Sequence, residues 1–319
     1  GSGLVASEMC KTVNYGTPVM NADITTISPN SNVVQRTFKI NKKRPLVVIG
    51  CAPCQGFSAH RKKDSDKPED KRNTLIGYFS DIAVNLNPDF VVMENVPEIL
   101  TGKYKMHYEE AKNVFIQNGY YVVQRVYNAA GFGVPQARIR AIIVASKYKN
   151  FVLPDEMLSV EEYKTVRDAI ADLPHVDARH QTQLVDRYHR CSTHKQSTID
   201  VIAQIPHDGG SRPKGIGPKC LDKVNGFSDV YGRLRWDKPS ITITQYARNP
   251  ASGRYSHPEQ NRGLTIREVA RLQSFPDGYL WNGSLGDVFK QIGEAVPPLL
   301  ALAIATQIAL TIKTQENNE

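Results

Sequence analysis

A cysteine in a turn directly after an apolar run is placed for nucleophilic chemistry. The stretch Val47-Val48-Ile49-Gly50-Cys51-Ala52-Pro53-Cys54-Gln55-Gly56-Phe57-Ser58 has this form. In a doubly wound sheet such strand ends face the ligand crevice, and a thiol there can attack if local dipoles or cations lower its pKa from about 8.5. Cys54 can equally be read as a buried structural cysteine, or Cys51 and Cys54 as half of a metal or redox pair. A zinc site needs a second doublet, and Cys191 with Cys220 is too widely spaced to form one, although His189 and His194 lie nearby. A thioredoxin-like motif would open a helix near the start of a much smaller domain. No metal is expected.

A second chemical element closes the next apolar run, Val91-Val92-Met93-Glu94-Asn95-Val96-Pro97. A carboxylate in that place usually caps or solvates the strand end. Beside a thiol it could hold a proton, because partial burial raises a carboxyl pKa toward working pH. The third element, Gln136-Ala137-Arg138-Ile139-Arg140, alternates two guanidinium groups with small or apolar residues. Solvated strand-end arginines explain it; so would a site that fixes a planar acceptor such as a pyrimidine carbonyl, which Lys does poorly.

The elements that must position these groups are short β-rich runs alternating with helical patterns, as in a parallel sheet covered by helices. Strands are expected over 46–49, 90–93, 121–126 and 141–145. Leu75, Tyr78, Phe79 and Ile82 have helical spacing, as do Ala111, Val114 and Phe115 ahead of Gly119. Beyond Pro154 the pattern loosens into Pro, Gly, His and polar residues, with a brief strand over 240–244 and helices again near Thr265. The run 296–312 is apolar enough for a buried helix started by Pro297 and Pro298, packing back on the first lobe. The expected domains are therefore a catalytic lobe over 1–154, an irregular lobe over 155–285 and a returning segment over 286–319.

With 319 residues the chain can bury a real core in two unequal lobes. Its 40% hydrophobic and 23% charged content is that of a globular chain rather than a disordered or fibrous one. A net charge of +8 suits a polyanionic partner, since clustered Lys and Arg release counterions from phosphates. No apolar run approaches the ~18 to 20 residues needed to span a bilayer, and no signal-peptide pattern opens the chain, so an intracellular protein without a membrane partner is expected. Five cysteines fit a reducing compartment. The stretch 61–72 mixes six basic and four acidic residues, and the polar loop 58–72 is expected to close over a substrate.

The three chemical elements, in this order, resemble the DNA cytosine C5 methyltransferase family, whose hallmarks are Pro-Cys-Gln, Glu-Asn-Val and Gln-x-Arg-x-Arg. Arg267-Glu268-Val269-Ala270-Arg271-Leu272-Gln273-Ser274-Phe275-Pro276-Asp277 looks like the family's structural block after its target-recognition region. Gln291-Ile292-Gly293-Glu294-Ala295-Val296-Pro297-Pro298 looks like its final block, beside the cofactor. The resemblance covers nearly the whole chain. It implies an α/β fold, a Rossmann-like S-adenosylmethionine-dependent lobe with a smaller irregular target-recognition lobe.

Carried over residue by residue, the resemblance makes Cys54 the nucleophile at cytosine C6. Glu94 then contacts N3 and the exocyclic amine, Arg140 contacts O2, and Arg138 supports the site. Gln55, Ser58, Asn95 and Gln136 fall on the substrate side. Glu8 and Met9 take the ribose and adenine, Asp23 and Ile24 read the adenine amine, and Pro53, Glu294, Ala295 and Val296 lie toward the cofactor. Glu294 stands where Asn is more usual. The implied partner is double-stranded DNA with a flipped base, read by the variable stretch 177–230, whose candidates are Arg187, Arg190, Arg212 and Lys214. The implied setting is a prokaryotic restriction-modification system, in the cytoplasm at the nucleoid. The family's opening strand and glycine-rich loop are not found ahead of Leu4, which leads to the expectation of a longer N-terminus or a separate peptide supplying them. Two other readings stay open: a tRNA cytosine-5 methyltransferase and a catalytically silent DNA-binding subunit.

Overall fold

The computed structural model describes residues 18–41, 43–51, 74–102, 105–179, 185–222 and 229–317. The chain divides into two compact units: unit 1 draws on 1–128, 139–155 and 302–319, and unit 2 on 129–138 and 156–301. The segment expected to return as a piece, 286–319, is thus shared between them.

Unit 1 holds a four-stranded sheet of β1 (Val47–Gly50), β2 (Phe90–Asn95), β3 (Tyr121–Asn128) and β4 (Ile139–Ser146), in the order β1-β2-β4-β3. β1 and β2 are parallel, whereas β4 runs antiparallel to both β2 and β3. The all-parallel expectation is corrected here. The β1 to β2 connection carries a helix, α1 (Leu75–Asn85), but β3 and β4 are joined by 129–138 without one, and a parallel return needs a crossover of a dozen or more residues. The α/β class itself stands.

One face of the sheet, Val91 and Met93 of β2 with Ala141, Ile143 and Ala145 of β4, is buried under Ile76 and Ala83 of α1. Tyr108, Ala111 and Phe115 of α2 (Lys105–Gln117) complete that core. Alternation then turns Phe90, Val92 and Glu94 to the opposite face. Helix α2 stops at Gly119, whose φ of 83° favours glycine, with Tyr120 N bonded back to Phe115 O and their rings in edge contact. β2 extends past its expected end at 93 because Glu94 and Asn95 are still paired, to Ile142 and Ala141.

Unit 2 is irregular, as its composition suggests. Its helices are short: α3 (Val166–Ile170), α4 (Gln196–Ala203), α5 (Ile266–Leu272) and α6 (Leu285–Glu294). Capping boxes at Thr165/Asp168, Thr265/Glu268 and Ser284/Asp287 start three of them. Much of its interior is polar but satisfied. The buried Arg233 guanidinium donates to the carbonyls of Ile202, Ile205, His257 and Gln260 and to Asn261 Oδ1. Arg262 and Glu268 form a bidentate pair at 2.7 and 2.9 Å, both almost wholly buried. The strand expected over 240–244 reduces to a single bridge between Gln136 and Ser240.

The last helix, α7 (Pro298–Glu316), begins at the proline as expected. It is buried along one stripe only, Leu300, Ile304, Ile308 and Thr311, while Leu302 and Leu310 are exposed, so it is not the all-round buried helix its composition suggests. Among the described residues no single helix is long and apolar enough to cross a membrane.

Candidate functional site

Because β1 and β2 are parallel and Gly50 sits beside Met93, the chain leaving β1 emerges at the edge of the sheet where Glu94 and Asn95 lie. Gly50 has no room for a side chain: a Cβ there would overlap the Phe79 ring of α1. Cys51, the next residue, is exposed. Cys54 follows three residues later, and Pro53, Cys54, Gln55 and Ser58 all lie outside the described residues, as do Glu8 and Met9.

Glu94 pairs across the ladder with Ile142, which puts Arg140, two residues further along β4, on the same face at the diagonal position. Arg140 Nε donates to Glu94 Oε1 at 2.9 Å, and the two side chains are only 14% and 15% exposed. Arg140 Nη1 also donates to Ile139 O at 2.7 Å. A carboxylate and a guanidinium are therefore held side by side in a mostly dehydrated place, where their fields are screened less than in water. Asn95, buried on the opposite face, has its Oδ1 bonded by Val96 N at 2.8 Å.

The other two members of the Gln-x-Arg-x-Arg block are placed differently: both are buried inside unit 2. Gln136 Oε1 accepts from Ile243 N, and its Nε2 donates to Leu272 O and Gln273 Oε1. Arg138 donates to Ile243 O at 2.9 Å, Ala295 O at 3.1 Å and Gly293 O at 3.3 Å. Gln273 completes the cluster by donating to Ile292 O and Ala295 O. Gly293 is packed so tightly that a Cβ would overlap the Thr244 and Gln245 backbone. Residue-level reading passed over Gln273 and Gly293, although both stand inside quoted motif blocks; their residue types alone do not announce partners so distant in the chain.

Of the residues expected near the cofactor, Asp23 is exposed and caps the short turn Ile24–Thr26. Thr25 N and Oγ1 both bond Asp23 Oδ1, backbone bond first, and hold its carboxyl below the ordinary value. Glu294 ends α6 and is exposed; Ala295 and Val296 are half-buried beyond it.

Among the candidates for reading DNA, Arg212 is committed internally. Its Nη1 bonds Ile216 O at 2.7 Å and Asp222 Oδ1 at 2.8 Å, and that bond keeps the Asp222 carboxyl low. Arg187 lies over the Tyr188 ring, while Arg190 and Lys214 are exposed. His189 bonds Thr265 Oγ1 and Pro174 O, and His194 accepts from Gly263 N, so both imidazoles serve the backbone framework.

A family profile described as C-5 cytosine-specific DNA methylase matches residues 8–310. The type II methyltransferase M1.HphI of Haemophilus parahaemolyticus is 36% identical over 298 residues, covering 93% of this chain and 76% of that protein. The type II methylase M.HgiDII of Herpetosiphon aurantiacus is 35% identical over 279 residues, covering 82% and 75%. Among solved structures, a protein described as a DNA modification methyltransferase encoded within an E. coli prophage superposes with a TM-score of 0.68 at 23% identity, over 92% of this chain and 85% of that one. S. pombe Dnmt2 methyltransferase superposes with a TM-score of 0.53 at 16% identity, over 91% and 83%. These two likenesses concern the fold.

Proposed function

This chain belongs to the C-5 cytosine-specific DNA methylase family, and from that premise we propose that it methylates C5 of a flipped-out cytosine in duplex DNA through a covalent bond from Cys54 to C6. The observation that carries the reading is the Glu94–Arg140 pair at the sheet edge where β1 also ends, four positions ahead of Cys54 in the sequence.

Cytosine C5 is a poor nucleophile while the ring is aromatic. Addition of the Cys54 thiolate to C6 forms a carbon–sulfur bond and moves the ring's electron pair toward C5 and N3. Glu94 hydrogen-bonds N3 and the exocyclic amine, and Arg140 binds O2, so the charge that develops on the ring is met by fixed groups. Loss of the C5 proton after alkylation returns the pair to the ring and expels the thiolate.

S-adenosylmethionine, when bound, supplies the electrophilic methyl group. The residues present fit it: an ionised Asp23 is an acceptor suited to an adenine amine, and half-buried Ala295 and Val296 offer apolar surface. Glu8, Met9, Pro53 and Glu294 are the further contacts of this reading. Duplex DNA is the favoured partner, consistent with the +8 charge, and the setting is the modification arm of a type II restriction-modification system, as the relatives' names suggest.

Cys54→Ala is expected to abolish methyl transfer while duplex binding persists, because the covalent step is lost and no phosphate contact is removed. DNA with 5-fluorocytosine at the target is expected to trap an adduct on the intact enzyme. Turnover by Cys54→Ala, or transfer to tRNA but not to duplex DNA, would overturn the reading.

A further inference from the structure

The cluster around Gln273 does more than fill space. At the end of helix α6, Ile292 O takes one local bond, from Ala295 N at 3.2 Å, and the carbonyls of Gly293 and, in the turn beyond, Ala295 are left to find side-chain donors. A glycine or asparagine just past a helix usually closes such an end from within the same segment. Here the single local bond is supplemented from far away: Gln273 reaches Ile292 O (3.1 Å) and Ala295 O (2.8 Å) across 19 and 22 residues, and Arg138 reaches Gly293 O and Ala295 O across 155 and 157. A local cap fixes a helix end; distant donors fix where the following turn stands within unit 2.

Gln273 is the joint of this arrangement. Its carboxamide is fully buried, and both ends are used: Nε2 for the two carbonyls, Oε1 for Gln136 Nε2. Gln136 in turn bonds Ile243 N, and Arg138 bonds Ile243 O. Ala295 O takes two donors, from Gln273 and Arg138, which spends both its lone pairs and sets the direction of the peptide entering Val296. Arg140, the partner of Glu94, follows Arg138 by two residues in the chain.

We infer that Gln273 is a positioning residue that sets S-adenosylmethionine affinity by holding the 292–295 turn against the Gln136–Arg138 segment. This rests on the reading of Ala295 and Val296 as cofactor contacts. Gln273 touches no substrate on this account; it acts through the backbone of the turn.

The test measures equilibrium binding of S-adenosylmethionine by calorimetry, without turnover, for the full chain and two variants. Gln273→Leu removes the carboxamide at similar volume. Gln273→Glu keeps the acceptor for Gln136 and replaces the donor with an oxygen that repels both carbonyls, so one variant covers failure of the other to fold. Loss of two hydrogen bonds predicts a rise of about tenfold in Kd. Duplex DNA affinity should stay unchanged. Ile202→Ala, a cavity in a separate cluster of the same unit, controls for stability: it should lower Tm comparably and leave cofactor Kd at the wild-type value. Variants that lose Tm but keep wild-type cofactor affinity would overturn the inference, as would an equal rise in Kd for Ile202→Ala. A wild-type chain that binds S-adenosylmethionine but methylates no DNA would overturn the proposed function and leave this inference standing; one that binds no cofactor would overturn both.

Discussion

At the scale of single residues, the chemistry rests on which side of a strand a group occupies. Glu94 was legible as a strand-end carboxylate and Arg140 as a strand-flanking cation. Their 2.9 Å contact was not, because it depends on the β2–β4 register, which brings together residues 46 positions apart in the sequence. The pair makes a sharp expectation. On the proposed mechanism, Glu94→Gln removes the charge that would answer N3 and leaves Arg140 without its anion, so single-turnover methyl transfer should fall by about 10²- to 10⁴-fold. Arg140→Lys replaces a planar fork by a point charge and should cost about 10²-fold. Rapid-quench measurement with both substrates saturating checks this; wild-type rates in either variant would remove the pair from the mechanism.

At the scale of elements, the strand cores and the helices flanking them followed from periodicity, while the ends did not. β2 runs on to Asn95 because a partner strand supplies its hydrogen bonds, and no local feature of Glu94-Asn95 marks that. Helix α6 shows the same dependence at its end, where Gly293 lies against the backbone of 244–245. Gly293→Ala, favourable by helix propensity alone, should therefore destabilise the protein by about 1 to 3 kcal/mol, the cost of overpacking a closed site. Urea unfolding read by tryptophan fluorescence tests it, and an unchanged midpoint would show that the 244–245 backbone yields.

At the scale of the whole molecule, unit 2 stores its charged groups inside, and acid should find them. Burial pushes His257 down from 6.5 to about 4, with Glu268 opposing and Arg262, Arg233 and His175 assisting. For Glu268, burial works toward protonation, but the charge and hydrogen bonds of Arg262 outweigh it and hold the carboxyl at about 2, against an ordinary 4.5. Both folded values lie below the unfolded ones, so the unfolded chain binds more protons in each window and stability is lost as pH falls. His257 contributes its loss between 6.5 and 4, and Glu268 between 4.5 and 2. Tm should thus decline from about pH 6.5 downward, and His257→Gln should flatten the upper part of that decline; a Tm constant from pH 7 to pH 4 contradicts the assignment. The excess of basic residues makes a separate prediction. Duplex affinity should drop at least about tenfold from 50 to 200 mM salt, as counterion release requires, and a flat response in a filter-binding or anisotropy titration would mean that the +8 charge is incidental.

Sequence alone determined the reaction class, through the resemblance of its ordered motif blocks to a known family, and the positions of the sheet strands, because motif blocks and apolar periodicity are local properties written into consecutive positions. Tertiary structure alone decided which motif residues pair at the sheet edge and which are buried in the interior. Gln136 and Arg138 stand in the same short motif as Arg140, yet both turn into unit 2 to bond 243, 273 and 293–295. It also decided the direction of β4 and the buried place of Gln273. Each of these depends on pairing between segments about 20 to 160 residues apart, and a buried polar group is directed by the partner it must find, which no window of neighbouring residues contains.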